Sequence, residues 1–304
     1  MSHHKTNMIP SSDFDVCVVG HITKDIVKVG QTMRIAPGGT AYYTALALKR
    51  LGLTVAVVTK GAKRDRHHLL RELTREKVAI FWKDGQMTSS FENIYRGPGL
   101  DTRTQVLRGA GTPFSAEDVT RLSAWAFHFG PLVKQDIPLK VLKQAAEKAQ
   151  IVSLDVQGMV RPARLGMITQ EDWADKKKWL ECVHILKADE TEAFILSGQR
   201  DMDRAAAVLA SFGPREVVIT LGSRGSLIYV EQKLHRIPSW TPKKLEDPTG
   251  CGDTYMAGYL YERLRETTPE TAARFASAMA ALNLESPGPF MGGKADVDAI
   301  LSRK

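Results

Sequence analysis

A chain of 304 residues, 43 % hydrophobic and 25 % charged, is long enough to bury a large core and fits neither a membrane-embedded nor a disordered class. Forty-two Lys and Arg against 34 Asp and Glu leave a formal charge of +8, which admits nucleic acid, an anionic membrane surface or a small anionic ligand as partner. Three widely spaced cysteines (Cys17, Cys182, Cys251) without metal-ligand spacing exclude a disulfide scaffold and point to a reducing, cytoplasmic setting.

Residues 1–12 are polar, carry no signal-peptide stretch and read as a disordered tail before one domain spanning residues 13–304. No apolar run approaches the roughly 20 residues of a membrane-crossing helix. Phe14–Gly20 reads as a strand. Thr40–Leu51 has helical apolar spacing and ends at Gly52. Thr54–Thr59 follows as a buried strand, Asp65–Glu76 as a charged helix and Val78–Trp82 as a short strand. Met87–Gly111 breaks the rhythm: it is polar, rich in Thr, Ser and Gly, and reads as a two-stranded antiparallel flap around a turn at Arg96-Gly97-Pro98-Gly99. Trp125–Gly130, Ile151–Val156, Val183–Lys187 and Val217–Leu221 are further apolar runs, each followed by helix-like sequence or by Gly and Pro. This alternation predicts a doubly wound α/β fold, a mostly parallel sheet with helices on both faces, plus a small β lid at about 87–111.

The stretch Glu246–Leu264 (EDPTGCGDTYMAGYLYERL) carries the chemistry. Gly250-Cys251-Gly252 stands before an apolar helix pattern, and small residues there leave bare N–H groups converging at the positive end of the helix dipole. Asp253, in the first turn, is an anion beside that cradle. An anion site with an adjacent base suits phosphoryl transfer to a hydroxyl. By composition alone, the same stretch also reads as a glycine turn with a capping aspartate. No GxxxxGK[ST] occurs, and Gly250-Cys251-Gly252 lacks the third glycine of a dinucleotide fingerprint.

PTGCGDTYMAGYL resembles the C-terminal signature of the ribokinase-like, or PfkB-type, carbohydrate kinases, usually DTTGAGD followed by a helix. Pro37-Gly38-Gly39 with Ala45, Ala47, Leu51 and Gly52 resembles their N-terminal signature. Three further segments match in order: Gly20-His21-Ile22-Thr23-Lys24-Asp25, ahead of the N-terminal signature, the first strand and its substrate aspartate, and, between the two signatures, Lys187-Ala188-Asp189-Glu190-Thr191-Glu192 the N-x-x-E segment and Thr220–Gly225 the T-x-G-x-x-G nucleotide loop. The resemblance spans Asp13 to about Gly293.

It implies an ATP-dependent kinase for a small sugar or polyol. Asp253 would be the general base and Gly250, Cys251 and Gly252 the anion hole. Asp25, Gly38, Gly39, Tyr43 and Arg161 would meet the substrate. Asp189, Thr220, Gly222, Gly225 and Asn283 would meet the nucleotide, Asn283 near the adenine. Glu192 would organise Mg²⁺ through water, and Asp247 with backbone around Ser286–Gly288 would hold a monovalent cation such as K⁺. The flap would be the lid, through which a homodimer would pair. On this reading the phosphate site is made of backbone amides, a helix end and Mg²⁺ rather than a lysine cluster.

The sequence departs from the family pattern at several positions. Tyr43 stands where sugar kinases of the family often have Asn, Asp189 replaces the Asn of N-x-x-E, and Cys251 replaces Ala. A helix N-terminus would lower the thiol's pKa, although a small residue is all the position demands. Asp155-Val156-Gln157 replaces a common D-P-N and, with GGTAYY, resembles the inositol-kinase-like branch. Arg161 reads either as a substrate contact or as a surface arginine, Asp25 as a substrate or capping carboxylate, and His128 as a core or cleft residue. A nucleoside kinase on the same fold, or a non-catalytic sugar- or nucleotide-binding protein, are the alternatives. The run from Lys60 to Lys77 carries +4 but lacks aromatic interleaving or a helix-turn-helix. It reads as a solvated helix face, so neither nucleic acid nor membrane is expected as partner.

Overall fold

The computed structural model describes residues 12–96 and 102–302. The expected tail at 1–11 and most of the expected turn at 96–99 lie outside them. In chain order the strands are β1 (Phe14–Val19), β2 (Thr23–Val29), β3 (Thr32–Gly38), β4 (Val55–Gly61), β5 (Ala79–Asp84), β6 (Ser90–Arg96), β7 (Thr102–Gly109), β8 (Ala124–Phe129), β9 (Ile151–Asp155), β10 (Gly166–Met167), β11 (Ile185–Asp189), β12 (Glu216–Thr220), β13 (Ser226–Val230) and β14 (Lys233–Ile237). The helices are α1 (Thr40–Arg50), α2 (Arg66–Arg75), α3 (Leu139–Ala146), α4 (Lys176–Leu180), α5 (Glu190–Ser197), α6 (Met202–Ala210), α7 (Cys251–Leu264), α8 (Pro269–Asn283) and α9 (Lys294–Leu301).

Nine strands form the main sheet in the order β14-β13-β12-β11-β9-β8-β1-β4-β5. From β12 to β5 every pairing is parallel, and β13 and β14 add an antiparallel edge. Its central strands are apolar on both faces because helices cover both. In β1, Val16 and Val18 join the core beneath α1, α7 and α8, whereas Cys17 and Val19 join the core on the α3 and α6 side. Helices α7 and α8 approach closely at Gly258, where a Cβ would stand 3.0 Å from the Ala276 Cα. Helix α2 buries Leu69, Leu70 and Leu73 and pairs Arg75 with Glu72 and Glu76 on its outer side, in keeping with a solvated helix face.

The flap strands are present as β6 and β7, paired antiparallel, but they are two strands of five. The second sheet runs β10-β7-β6-β2-β3, so residues 23–38 and 166–167 build it as much as the insertion does. Asp25 therefore lies on a strand of this sheet, not in a turn or cap. The small sheet stands over the carboxyl ends of the parallel strands, the edge where open α/β sheets bind ligands.

Candidate active site

Two glycine turns set the floor of the site. Gly39, at φ 90°, precedes α1, and a Cβ there would stand 2.5 Å from the His21 carbonyl oxygen. A Cβ on Gly38 would stand 2.5 Å from Asp25 Oδ2, so this glycine makes room for the carboxylate. Gly250, at φ 77°, precedes α7, and its Cα lies against the Tyr43 ring, which a Cβ would strike at 2.5 Å. These turns aim the starts of α1 and α7 at one point.

Asp253 sits there. Part of the residue faces a cavity, but its carboxyl lies deep in the protein. Burial, reinforced by the neighbouring Asp155 carboxylate, pushes its pKa up to about 7. Lys187, a hydrogen bond from the Thr40 hydroxyl and Arg161 oppose the rise. A carboxylate tuned toward neutrality is what a general base requires.

The cavity beneath the small sheet measures about 80 Å³ and is lined by Asp25, Gly39, Tyr43, Arg161, Gly250 and Asp253 together with Thr40, Asn93, Gln105 and Gln157. Arg161 is not a surface residue: its guanidinium donates to Gln105 Oε1 at 3.2 Å. Gln105 Nε2 donates to Asn93 Oδ1 at 2.9 Å, and Asn93 Nδ2 reaches toward Asp25 Oδ2 at 3.4 Å. This polar chain couples both edges of the cavity to the small sheet. Tyr43, not Tyr42, is the tyrosine beside Asp253. Burial and the nearby carboxylates of Asp25, Asp247 and Asp253 hold its phenol protonated, whereas Tyr42 donates to Glu72.

A second cavity of about 620 Å³ opens on the other side of the α7 start. Thr220, Gly222 and Gly225 line it with Cys251, Gly252, Trp240, Tyr255 and Leu284. Gly225 is obligatory, since a Cβ there would stand 2.0 Å from the Ile237 carbonyl oxygen. Asn283 takes a different place from the expected adenine contact. It is buried under the loop, donating to the Thr249 carbonyl oxygen at 3.2 Å and accepting from Thr254 at 3.1 Å, so it braces the Gly250–Gly252 turn. Cys251 is not activated, because burial raises its pKa to about 11. His128 is a core residue, bonded to Ser153 and held neutral by burial, with a pKa near 4.

Asp189 and Glu192 form a capping box on α5: the Asp189 N–H donates to Glu192 Oε2 at 2.7 Å, and the Glu192 N–H donates to Asp189 Oδ1 at 2.8 Å. Glu192 is fully buried, Oε1 has no hydrogen-bond partner, and burial raises its pKa to about 7. Asp247 accepts from the Thr249 N–H at 2.9 Å and lines a third cavity of about 180 Å³ with Asp25, Tyr43 and Gly288.

Sequence reasoning missed the pair at the bottom of the site. Lys187 and Asp155 face each other in register on β11 and β9, with Nζ 3.0 Å from Asp155 Oδ2, both side chains nearly inaccessible. A single lysine, not a cluster, thus lies beneath the Gly250–Gly252 turn. Asn93, Gln105 and Trp240 were also missed, as residues of polar or irregular segments with no local signature.

A parallel sheet with two glycine turns converging on a buried carboxylate, between a small polar cavity and a larger cleft, defines a phosphotransferase of the carbohydrate-kinase class. The model of the pfkB family carbohydrate kinases matches residues 9–291, and the chain belongs to that family. It is 42 % identical over 310 residues to a nucleoside kinase of Methanothermobacter thermautotrophicus, covering 91 % of this chain and 92 % of that one. It is 27 % identical over 255 residues to a cytidine kinase of Thermococcus kodakarensis, covering 81 % and 87 %. Among solved structures, a pyrophosphate-dependent ribokinase-family kinase complexed with a pyrophosphate analog and myo-inositol superposes with a TM-score of 0.84 at 27 % identity, covering 93 % of this chain and 99 % of that one. Arabidopsis thaliana ribokinase complexed with ribose and ATP shares the fold, with a TM-score of 0.77 at 20 % identity over 96 % and 99 %. No helix among the described residues is long and apolar enough to cross a membrane.

Proposed function

We propose that this kinase phosphorylates one hydroxyl of a small polyol, with ATP as donor and Asp253 as general base. The observation that carries the reading is the cavity at Asp253. It is small against the roughly 300–1,000 Å³ of typical ligand sites. Beside Asp253, its polar lining includes Asp25, an asparagine, two glutamines and an arginine, with Tyr43, Phe91 and Leu132 as its larger apolar surfaces, and its size and polarity suit a single ring bearing hydroxyls better than a base joined to a sugar. Asp25 and the Gly39 amide would bind vicinal hydroxyls, with Tyr43 and Arg161 at the sides.

In the transfer, the acceptor O–H proton passes to Asp253. A new O–P bond forms as the bond to the leaving ADP oxygen breaks, and ADP departs with that electron pair. The Gly250–Gly252 amides and the α7 dipole stabilise charge on the moving group. The larger cleft, with Trp240, Tyr255 and Leu284 as apolar walls and Thr220, Gly222 and Gly225 at its floor, takes the purine and ribose. Mg²⁺ would supply charge neutralisation between the donor phosphates. The unpartnered Glu192 Oε1, with Asp189 beside it, suits a magnesium ion held through water, the usual way this ion is bound. Asp247 would hold the monovalent cation. Protein in the cytoplasm, pairing through the small sheet, completes the reading.

The 42 % identity to a nucleoside kinase favours a second reading, a nucleoside acceptor, which would require the small sheet to move outward. A coupled assay of ADP release with inositols, ribose, fructose and nucleosides, with and without K⁺, separates the two. Turnover confined to nucleosides overturns the polyol reading, and no turnover with any acceptor favours a non-catalytic binder.

A further inference from the structure

His21 and Asp136 are titratable groups that the transfer chemistry does not use, yet both are buried, with side chains 0 % and 2 % exposed. His21 Nε2 stands 3.6 Å from Asp136 Oδ1, and the other ring nitrogen, Nδ1, lies 3.2 Å from the Lys60 carbonyl oxygen. A carbonyl can only accept, so the hydrogen of that bond belongs to Nδ1. Nε2, which has no hydrogen-bond partner among the described residues, then faces Oδ1 as one lone pair against another unless a further proton lies between them. Two unpaired acceptors side by side in a core are strongly disfavoured. The place is also tight: the Phe114 ring lies 4.7 Å from the imidazole, and a Cβ on Gly111 would stand 2.7 Å from Cε1. The Lys60 ammonium is turned to Asp118 and to the Pro113 carbonyl oxygen.

We propose that His21 and Asp136 share one proton and thereby position two turns, Gly39 and residues 131–136, as the floor of the acceptor site, an assignment that rests on the kinase reading above. Neither side chain touches the acceptor, so both are positioning residues. The links to the cavity are short. Asp136 Oδ2 accepts from the Leu132 N–H at 2.8 Å and the Val133 N–H at 3.1 Å, and Leu132 lines the cavity. The Lys134 N–H donates to the Arg161 carbonyl oxygen at 2.9 Å, and a Cβ on Gly158 would stand 2.3 Å from the Pro131 carbonyl carbon. Gln157 and Arg161 therefore rest on this turn. On the other side, the His21 carbonyl oxygen abuts Gly39. The proton belongs to the pair: imidazolium with carboxylate, or imidazole with carboxylic acid, leaves it neutral overall. Burial raises the hold of Asp136 on a proton, while His21 and the two amides oppose the rise. The rival arrangement, a neutral ring donating from Nε2 to an ionised Asp136, would bury a net negative charge and turn the Nδ1 lone pair onto the Lys60 carbonyl.

Nitrogen NMR of the histidine-labelled wild type, with the His21 signals identified by their loss in His21→Leu, reads the proton. Under the proposal Nδ1 carries a hydrogen in either form of the pair; a neutral ring protonated at Nε2 alone overturns it. Two substitutions test the positioning. Asp136→Asn offers a fixed hydrogen to Nε2 and an oxygen to both amides, so the acceptor KM should stay within about threefold of wild type. Asp136→Ala leaves both amides unpaired and should raise the acceptor KM about tenfold or more, with the donor KM changed less than twofold. Should it fail to fold, His21→Leu, which removes the proton's other holder, takes its place with the same expected outcome. A tenfold rise in Asp136→Asn, or an unchanged acceptor KM in the disruptive variant, overturns the positioning role. If wild type transfers to no acceptor, the kinase reading fails by itself. The turn is then judged by amide hydrogen exchange at Leu132 and Val133: protection kept in Asp136→Asn and at least tenfold faster exchange in the disruptive variant support the pair, and equal exchange in all three proteins refutes it.

Discussion

Replacing Asp253 with Asn tests the proposed base and the electrostatic cost of keeping a carboxyl there. The carboxyl binds its proton more tightly in the folded protein than in an unfolded chain, with a pKa of about 7 against an ordinary 3.8. A raised carboxylate pKa means that stability is full below pH 4 and is lost as pH rises through about 7. At 1.36 kcal/mol per tenfold, the difference amounts to about 4 kcal/mol above pH 8 and about 0.5 kcal/mol at pH 4. The cavity side of the carboxyl meets water, so roughly 2–4 kcal/mol is the fair range. Asparagine keeps the size and can still accept from Thr40, but carries no charge. Asp253→Asn should therefore be more stable than wild type by about that amount at pH 8 and nearly equal to it at pH 4, as read by urea unfolding at pH 4, 6 and 8. Turnover should fall about 10²–10⁴-fold, the size of a general-base contribution. In wild type kcat should fall tenfold per pH unit below about 7, as the base becomes protonated. Identical pH dependence of stability in the two proteins would refute the raised pKa. Near-wild-type turnover in the variant would refute the base.

Other substitutions separate the two cavities. Asn283→Ala removes the amide that bonds the Thr249 carbonyl and the Thr254 hydroxyl, and should lower stability by about 1–3 kcal/mol with a rise in donor KM, measured by unfolding and steady-state kinetics. Trp240→Ala removes an apolar wall of the larger cleft, and should raise the KM for ATP about tenfold while leaving the acceptor KM within twofold. Gln105→Leu cuts the chain from Arg161 to Asn93, and should raise the acceptor KM roughly tenfold with little effect on the donor KM. Gly225→Ala would drive a Cβ into the Ile237 carbonyl at φ 89°, so poor yield of folded protein is expected, scored by soluble expression and unfolding midpoint.

How far the sequence could be read depends on the range over which each feature is encoded. Strands β1, β4, β9, β11 and β12 were legible because a strand covered on both faces must be an apolar run, and such a run is visible in five or six residues. Strands β13 and β14 were not, because their turn is made by Glu231 and Gln232 at positive φ, without the glycine or asparagine that usually announces it. Strands β2 and β3 escaped notice because their outer face shows Met33 and Ile35 to solvent, and no alternation marks them.

The site divides in the same way. Asp253 and the Gly250–Gly252 turn were readable because one helix start holds amides, dipole and carboxylate within four residues. Lys187 was not, because in sequence it is one charge at the end of an apolar run, which ordinarily means the strand has reached solvent. Its partner is 32 residues earlier, and only the parallel pairing of β9 with β11 puts the two side chains on one face. Asn283 was misread for the converse reason: its position in the helix after α7 was right, but burial turned its amide inward, where the orphan groups of the loop needed a donor and an acceptor. Local motifs thus located Asp253 and the turn before it, while the groups that tune its carboxyl (Asp155 raising the Asp253 pKa, Lys187 lowering it) act through strand pairing. The raised Asp253 pKa is a property of that pairing, and slipping β9 by one residue against β11 would turn Asp155 to the opposite face, away from Lys187, while leaving the PTGCGD motif unchanged.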